Sequence, residues 1–293
     1  MKILVTGANG LLGTTLVNTL RDKGFNVAGA DLPVWNILDP SFENFVETEK
    51  PTHLINCAAF TDVPLAEKEK EQAMAINVQA VEVLAKLSLQ YNFQIIHFST
   101  DFVFDGDSQH PYTEDTVTCP VNFYGLTKLL GEKTLQRVLK DSKNFTIFRL
   151  QWLFGHNSKT FFSKIFDKAC LSSNPLSIVS DEIGSPCSVQ FVSDTLCGYL
   201  AKNPVLKGEL YHLTHDDFCS RFECAKFFLD SVGFKDRVVP VENLVTDLAR
   251  PKFGALNNTK LQKQLGRSLG SWQEDILLYI REIEHNIRKI NNA

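Results

Sequence analysis

Gly7-Ala8-Asn9-Gly10-Leu11-Leu12-Gly13 follows an apolar run, Lys2-Ile3-Leu4-Val5-Thr6, and leads directly into a helically spaced segment, Leu11 to Lys23. A strand that ends in glycines and opens a helix is an arrangement that cradles a pyrophosphate. Glycine allows the tight turn and the close approach of backbone to the ligand. The helix N-terminus adds free N–H groups and the positive end of its dipole. Position and spacing together separate this loop from an ordinary strand-to-helix turn. They predict a dinucleotide site contacted by Gly7, Asn9, Gly10, Leu11, Leu12 and Gly13.

Outward from the loop, β-rich runs alternate with helical periodicity. KILVTG (2–7), FNVAGAD (25–31), HLINCAA (53–59), QIIHFST (94–100) and FTIFRL (145–150) read as strands, and 11–23, 69–91 and 124–140 as helices. Such alternation implies parallel βαβ units, and near-continuous apolar strands fit a sheet covered on both faces. The expected fold class is α/β, a Rossmann-like doubly wound parallel sheet with a smaller C-terminal substrate-binding lobe. Residues 1–150 are expected to form the dinucleotide-binding domain. Residues 151–293 supply mainly the smaller lobe and an amphipathic C-terminal helix, SWQEDILLYIREIEHNIRKI (271–290). Helical spacing in 190–202 and the strand-like GELYHLT predict that segments near 189–214 return to the first domain.

Composition narrows the function. A chain of 293 residues with 44% hydrophobic residues buries a sizeable core, and a net charge of -4 argues against nucleic-acid binding. No apolar run approaches the ~18 residues of a membrane span. The N-terminal run Ile3-Leu4-Val5 is too short for a signal-peptide core, so a soluble, cytoplasmic protein is expected. The seven cysteines are odd in number and scattered without a Cys-x-x-Cys pair. That predicts reduced thiols, and neither they nor His212 and His215 complete a metal site.

Tyr124-Gly125-Leu126-Thr127-Lys128 places a phenol and an ammonium one helical turn apart on one face. An ammonium there is expected to favour the ionised phenol and draw its pKa down toward working pH, so that Tyr124 exchanges a proton at an alcohol carbon. Lys128 would also hold the nicotinamide ribose. Immediately upstream, HFSTDFVFDG (97–106) turns from apolar to polar at Ser99, Thr100 and Asp101. The carboxyl ends of strands form the ligand crevice of an α/β sheet, where such a tip belongs. A helix-capping Thr100 is the other reading. Strand alternation puts Ser99 and Thr100 on opposite faces, and Ser99 is expected to bond backbone on its side.

Gly-x-x-Gly-x-x-Gly with Tyr-x-x-x-Lys resembles the extended short-chain dehydrogenase/reductase superfamily. More specifically, TGANGLLG, NCAAFTDVPLAE, HFSTDFVFDG, YGLTKLLGE, DEIGSP and RPKFGALNNTKL occur in the order found in dTDP-4-dehydrorhamnose reductases, over almost the whole chain. The resemblance implies NAD(P)H-dependent reduction of the 4-keto group of a nucleotide-linked 6-deoxyhexose. In it, Thr100 would polarise the ketone oxygen, Tyr124 protonate it, and Lys128 orient the cofactor. Asp31 would take the adenosine ribose hydroxyls, and with no Arg or Lys close behind it NADH is favoured over NADPH. Ala58 and Ala59 would border the cofactor, and Asp39 matches a position at the adenine, unless it only caps a helix. Thr61, Val63, Thr100, Asp101 and Trp152 would line the sugar site, with Arg250 as a diphosphate anchor; a core Trp152 and a surface Arg250 are the alternatives. Asn77 resembles an interior asparagine bracing the sheet end. Family members often dimerise, which makes a homodimer an expectation of the resemblance.

Three departures surround the sugar: Pro64-Leu65 for Asp-Lys, Leu150-Gln151 for Thr-Ser, and Cys187 for threonine. A 4,6-dehydratase resembles Thr-Asp-Glu at the strand tip, and Phe102 in place of the glutamate argues for a reductase; epimerisation stays open. So does a nucleotide-binding regulatory role, because the β subunit of methionine adenosyltransferase has a similar strand tip.

Overall fold

The structure, a computed structural model, describes residues 1–156, 158–242 and 248–291, with side chains through residue 283. Its centre is a six-stranded sheet of β1 (Lys2–Thr6), β2 (Asn26–Ala30), β3 (His53–Asn56), β4 (Gln94–Thr100), β5 (Phe145–Leu150) and β6 (Glu209–His212). The spatial order is β6-β5-β4-β3-β1-β2 and every pairing is parallel.

Alternate residues of each strand serve opposite cores. Ile3, Val5, Ile55, Ile96, Phe98 and Phe148 pack with Leu16 and Leu20 of helix Leu11–Asp22 and with Leu196 and Leu200 of helix Val189–Lys202. Leu4, Leu54, Ile95 and Ile147 meet Phe42, Val81, Leu84 and Leu135 on the other face. Burying a side chain of this size contributes roughly 1.5–3 kcal/mol before entropy is counted. The sheet is therefore doubly wound, as its apolar strands require.

Helix Val189–Lys202 and strand β6 belong to this body. So does a stretch the sequence pattern did not single out: Leu261, Leu265 and Leu269 complete the first core. The second lobe has a core of its own, in which Phe154, Phe162, Phe228 and Trp272 pack with Ile276, Tyr279 and Ile280 of the C-terminal helix Trp272–Asn291. Among the described residues, the strands there form two-stranded pairings, such as Leu176–Val179 with Val238–Val241. Short strands interrupted by Gly and Pro carry little periodicity, which is why the sequence reads as irregular past residue 150.

The segment expected as one helix over 69–91 is broken by a π-turn at Ala75–Gln79. The cause is Asn77, whose side chain turns inward. It accepts from Phe60 N, donates to Phe60 O, and donates to Thr127 Oγ1 at 2.9 Å. It thereby ties the loop after β3 to helix Phe123–Val138.

β1 has β2 on one side and β3 on the other, so the direction of winding reverses there. The crevice at the carboxyl ends of β1 and β3 is where a doubly wound sheet binds ligands.

Candidate active site

Gly7 leaves β1 at φ +67°, and a Cβ on it would lie 2.5 Å from Ala58 N; on Gly13 a Cβ would lie 2.0 Å from Gly7 O. Strand, loop and helix are thus in backbone contact, and only glycine fits. The helix begins at Gly10, which carries no side chain to close the first turn, leaving its N–H groups to an anion. A cavity of about 230 Å³ opens here, lined by Gly7, Gly10, Asp31, Trp35, Ala58 and Ala59 among others. Asp31 stands at its edge with Oδ2 accepting from Asn9 N at 2.7 Å. The cradle fits a dinucleotide: glycine backbone and helix N-terminus for the phosphates, an acid for the ribose, Trp35 and Ile37 for an apolar ring.

Two residues of the expected cofactor set also serve the fold. Leu12 is buried in the first core, so only its backbone can face a ligand. Asp39 lies outside the cavity lining, and its Oδ1 accepts at 2.8 Å from the N–H of Ser41, the first residue of helix Ser41–Glu49.

β4 delivers the polar tip. Thr100 is buried; its hydroxyl accepts from Phe102 N at 3.2 Å and donates to Asp101 Oδ1 at 2.9 Å. It is the cap of the short turn Asp101–Val103, on which Tyr124 packs through the Phe102 ring. What lets Tyr124 come so close is Gly125, where a Cβ would lie 2.1 Å from Phe102 O. Asn122 caps helix Phe123–Val138 by accepting from Gly125 N at 2.8 Å. The Phe102 ring meets Tyr124 edge-on at 5.6 Å, and Phe60 and Val63 complete the apolar wall. Thr61 is exposed beside it.

Electrostatics correct two expectations. Tyr124 is not drawn toward ionisation: burial pushes its pKa up, and the nearby Asp101 charge adds to the rise. Lys128 is itself buried and held down at about 8 by desolvation, with Glu132 opposing, and its Nζ donates to Phe98 O at 2.7 Å. The phenol therefore stays protonated, the form a reduction needs. Among the described residues, Ser99, expected to bond backbone, is buried with its hydroxyl unpartnered. Its strand is paired in parallel with β3 and β5 on either side, so the neighbouring backbone groups are engaged in the sheet.

At the sugar end, Trp152 is half-buried at φ +45°, and the Arg221 guanidinium stacks on it 3.6 Å from the ring centroid. The aromatic face expected to meet an apolar methyl is thus shared with a cation. Arg250 is exposed on the loop whose Ala249 carbonyl accepts from Asn122 Nδ2. Gln151, a departure from the family pattern, spans the cleft floor: Nε2 donates to Gly254 O at 2.7 Å and Oε1 accepts from Ser185 N. Arg221, Gln151 and the buried Arg149–Glu132 pair, closed at 2.7 and 2.9 Å, escaped the sequence reading. Ser220-x-x-Glu223 is a capping box that could have placed Arg221 at a helix start, though not in this cleft.

The family model described as RmlD substrate binding domain matches residues 1–285. The chain belongs to this family. A spore coat polysaccharide biosynthesis protein, SpsK, of Bacillus subtilis is 31% identical, over 96% of this chain and 97% of that protein. A dTDP-4-dehydrorhamnose reductase of Aggregatibacter actinomycetemcomitans is 30% identical, over 93% and 96%. The crystal structure of the dTDP-4-dehydrorhamnose reductase of Bacillus anthracis in complex with NADP superposes with a TM-score of 0.88 at 29% identity, over 96% of this chain and all of that one. These likenesses make this RmlD-family protein a nucleotide-sugar reductase that uses NADH or NADPH. Among the described residues no group of three His, Cys, Asp or Glu could hold a metal ion, and no helix is long and apolar enough to cross a membrane.

Proposed function

We propose that the protein reduces the 4-keto group of a nucleotide-linked 6-deoxyhexose, the reaction that takes dTDP-4-dehydrorhamnose to dTDP-L-rhamnose, with NADH preferred. The observation that carries this reading is the placement of the buried Tyr124 and Lys128 one turn apart on helix Phe123–Val138, packed on the β4 tip that carries Thr100: the Tyr124 ring meets Phe102 at 5.6 Å and Lys128 Nζ donates to Phe98 O at 2.7 Å.

The bound dinucleotide supplies the hydride. Tyr124, kept protonated by burial, gives its proton to the ketone oxygen, and Thr100 hydrogen-bonds that oxygen while charge develops on it. Lys128, fixed on the Phe98 carbonyl, holds the nicotinamide ribose. Thr61, Val63 and Trp152 border the sugar, and Arg250 anchors the diphosphate. The carboxylate of Asp31 favours a free ribose diol over a 2′-phosphate, hence NADH. Phe102 fills the place where a dehydratase needs a second carboxylate, which supports reduction without dehydration.

The test is NADH oxidation in the presence of dTDP-4-keto-6-deoxy-L-mannose. The reading expects loss of the nicotinamide absorbance and dTDP-L-rhamnose as product. Dinucleotide binding without oxidation of either NADH or NADPH would refute it and favour a regulatory, nucleotide-binding role.

A further inference from the structure

The turn that carries Tyr124 is fastened to its surroundings by two side chains that the chemistry above does not use. Asn122, buried just ahead of helix Phe123–Val138, divides its amide between two partners. Oδ1 accepts from Gly125 N at 2.8 Å, and Nδ2 donates to Ala249 O at 3.0 Å. A donor faces the oxygen and an acceptor faces the nitrogen, so one orientation of the amide satisfies both. A carboxylate in its place would satisfy only the first. Glu67, on helix Val63–Lys68, reaches across to accept from Phe123 N at 2.7 Å. Both contacts take up N–H groups that an α-helix leaves without partners in its first turn.

What these side chains hold are the two loops assigned to the substrate. Ala249 directly precedes Arg250. Beyond Arg250 the chain is fixed through its backbone. Pro251 lies so close to Gly106 that a Cβ there would come within 2.4 Å of its Cα. Phe253 N donates to Gly106 O at 3.0 Å, and Gly254 N to Ile183 O at 2.7 Å. Ahead of Arg250, the Asn122 bond draws Ala249 onto the helix of Tyr124. Glu67 lies on the short helix that begins at Val63, just after Thr61.

We propose that Asn122 and Glu67 are positioning residues, which bolt the phosphate-side and sugar-side loops to the first turn of helix Phe123–Val138 so that bound substrate presents its ketone to Tyr124. This rests on the reduction proposed above and on the places given there to Arg250, Thr61 and Val63. Separate loops imply separate tasks. Asn122 governs how tightly the diphosphate is held, because a guanidinium binds best when its loop is ordered beforehand. Glu67 governs alignment at the reacting carbon, where a misplacement of about 1 Å slows a reaction by ~10²-fold. Neither residue lines the dinucleotide cavity.

Asn122→Asp and Glu67→Ala test the two tasks. An aspartate caps a helix as well as an asparagine but sets an oxygen against the Ala249 carbonyl, which releases the loop and keeps the turn. Its Tm should stay within about 2 °C of wild type and its NADH affinity within about twofold. The Kd for dTDP and the KM for dTDP-4-keto-6-deoxy-L-mannose should both rise about tenfold, with kcat nearly unchanged. Glu67→Ala should do the reverse, lowering kcat by about tenfold or more with dTDP affinity intact. Glu67→Gln, whose amide oxygen can still accept from Phe123 N, should recover most of that loss. An unaltered dTDP Kd in Asn122→Asp, or a parallel loss of Tm, NADH affinity and rate in both variants, would overturn the proposal and reduce the two bonds to helix caps. Such variants of an active wild type defeat this inference alone, whereas a wild type that binds NADH and reduces nothing defeats the reduction and this inference with it.

Discussion

Lys128 Nζ donates a 2.7 Å hydrogen bond to the carbonyl oxygen of Phe98, linking helix Phe123–Val138 to the strand whose tip carries Thr100. A buried ammonium is costly, and its pKa of about 8 records that cost. The folded state binds fewer protons than the unfolded one between about pH 8 and the ordinary lysine value, so stability rises with pH across that window.

Lys128→Met should therefore stabilise the fold while disabling the enzyme. The expected outcome is a Tm at pH 7 raised by about 3 °C, with the wild-type increase between neutral and alkaline pH flattened. Reduction should slow by at least ~10²-fold. Thermal unfolding followed across pH checks the first part and steady-state kinetics the second.

Removing the phenolic hydroxyl takes away the proton donor and little else. Tyr124→Phe keeps the ring against Phe102 and Phe60. We expect kcat to drop by about 10²–10⁴-fold with dinucleotide affinity changed by less than about twofold, measured by fluorescence titration.

Asp31 accepts from Asn9 N and Leu32 N, both at 2.7 Å, which fixes its carboxylate at the cavity edge. Asp31→Ala should weaken NADH about tenfold and leave NADPH nearly as it was, because the lost ribose bonds and the lost repulsion of a 2′-phosphate offset each other only for NADPH. Calorimetric titration with each dinucleotide decides it.

Arg149 and Glu132 pair at 4% and 2% side-chain exposure, below Lys128 on the same helix. Arg149→Met leaves Glu132 charged and alone, at a cost of about 3–5 kcal/mol. Urea unfolding should show that loss with an unchanged m-value, and adding Glu132→Leu should recover most of it.

These cases mark how far the sequence carries. The glycine loop, the order of strands β1 to β5 and the Tyr124–Lys128 spacing are local patterns, and local patterns are legible. The return of Leu261 and Leu265 to the first core is not, since seven-residue helix Thr259–Leu265 shows too little periodicity to name its partner. Arg221 on Trp152 joins residues nearly seventy positions apart, and nothing local announces it. The direction of the Tyr124 shift failed for a related reason: spacing places an ammonium nearby, but burial, a property of the whole fold, outweighs it. Gln151 shows the converse. As a departure from the family pattern it reads as a change at the sugar, yet its amide bonds the loops at Ser185 and Gly254 and so supports the floor of the cleft.

The central claim is hydride transfer to the sugar C4 at the Thr100–Tyr124 pair, and isotope transfer tests it most directly. The protein would be supplied with NADH deuterated at the nicotinamide C4 and with dTDP-4-keto-6-deoxy-L-mannose, and the sugar recovered for mass and NMR spectra. One deuterium at C4 of dTDP-L-rhamnose is predicted, at a rate that Tyr124→Phe nearly abolishes. A sugar recovered without deuterium, or labelled equally fast by Tyr124→Phe, would contradict the account.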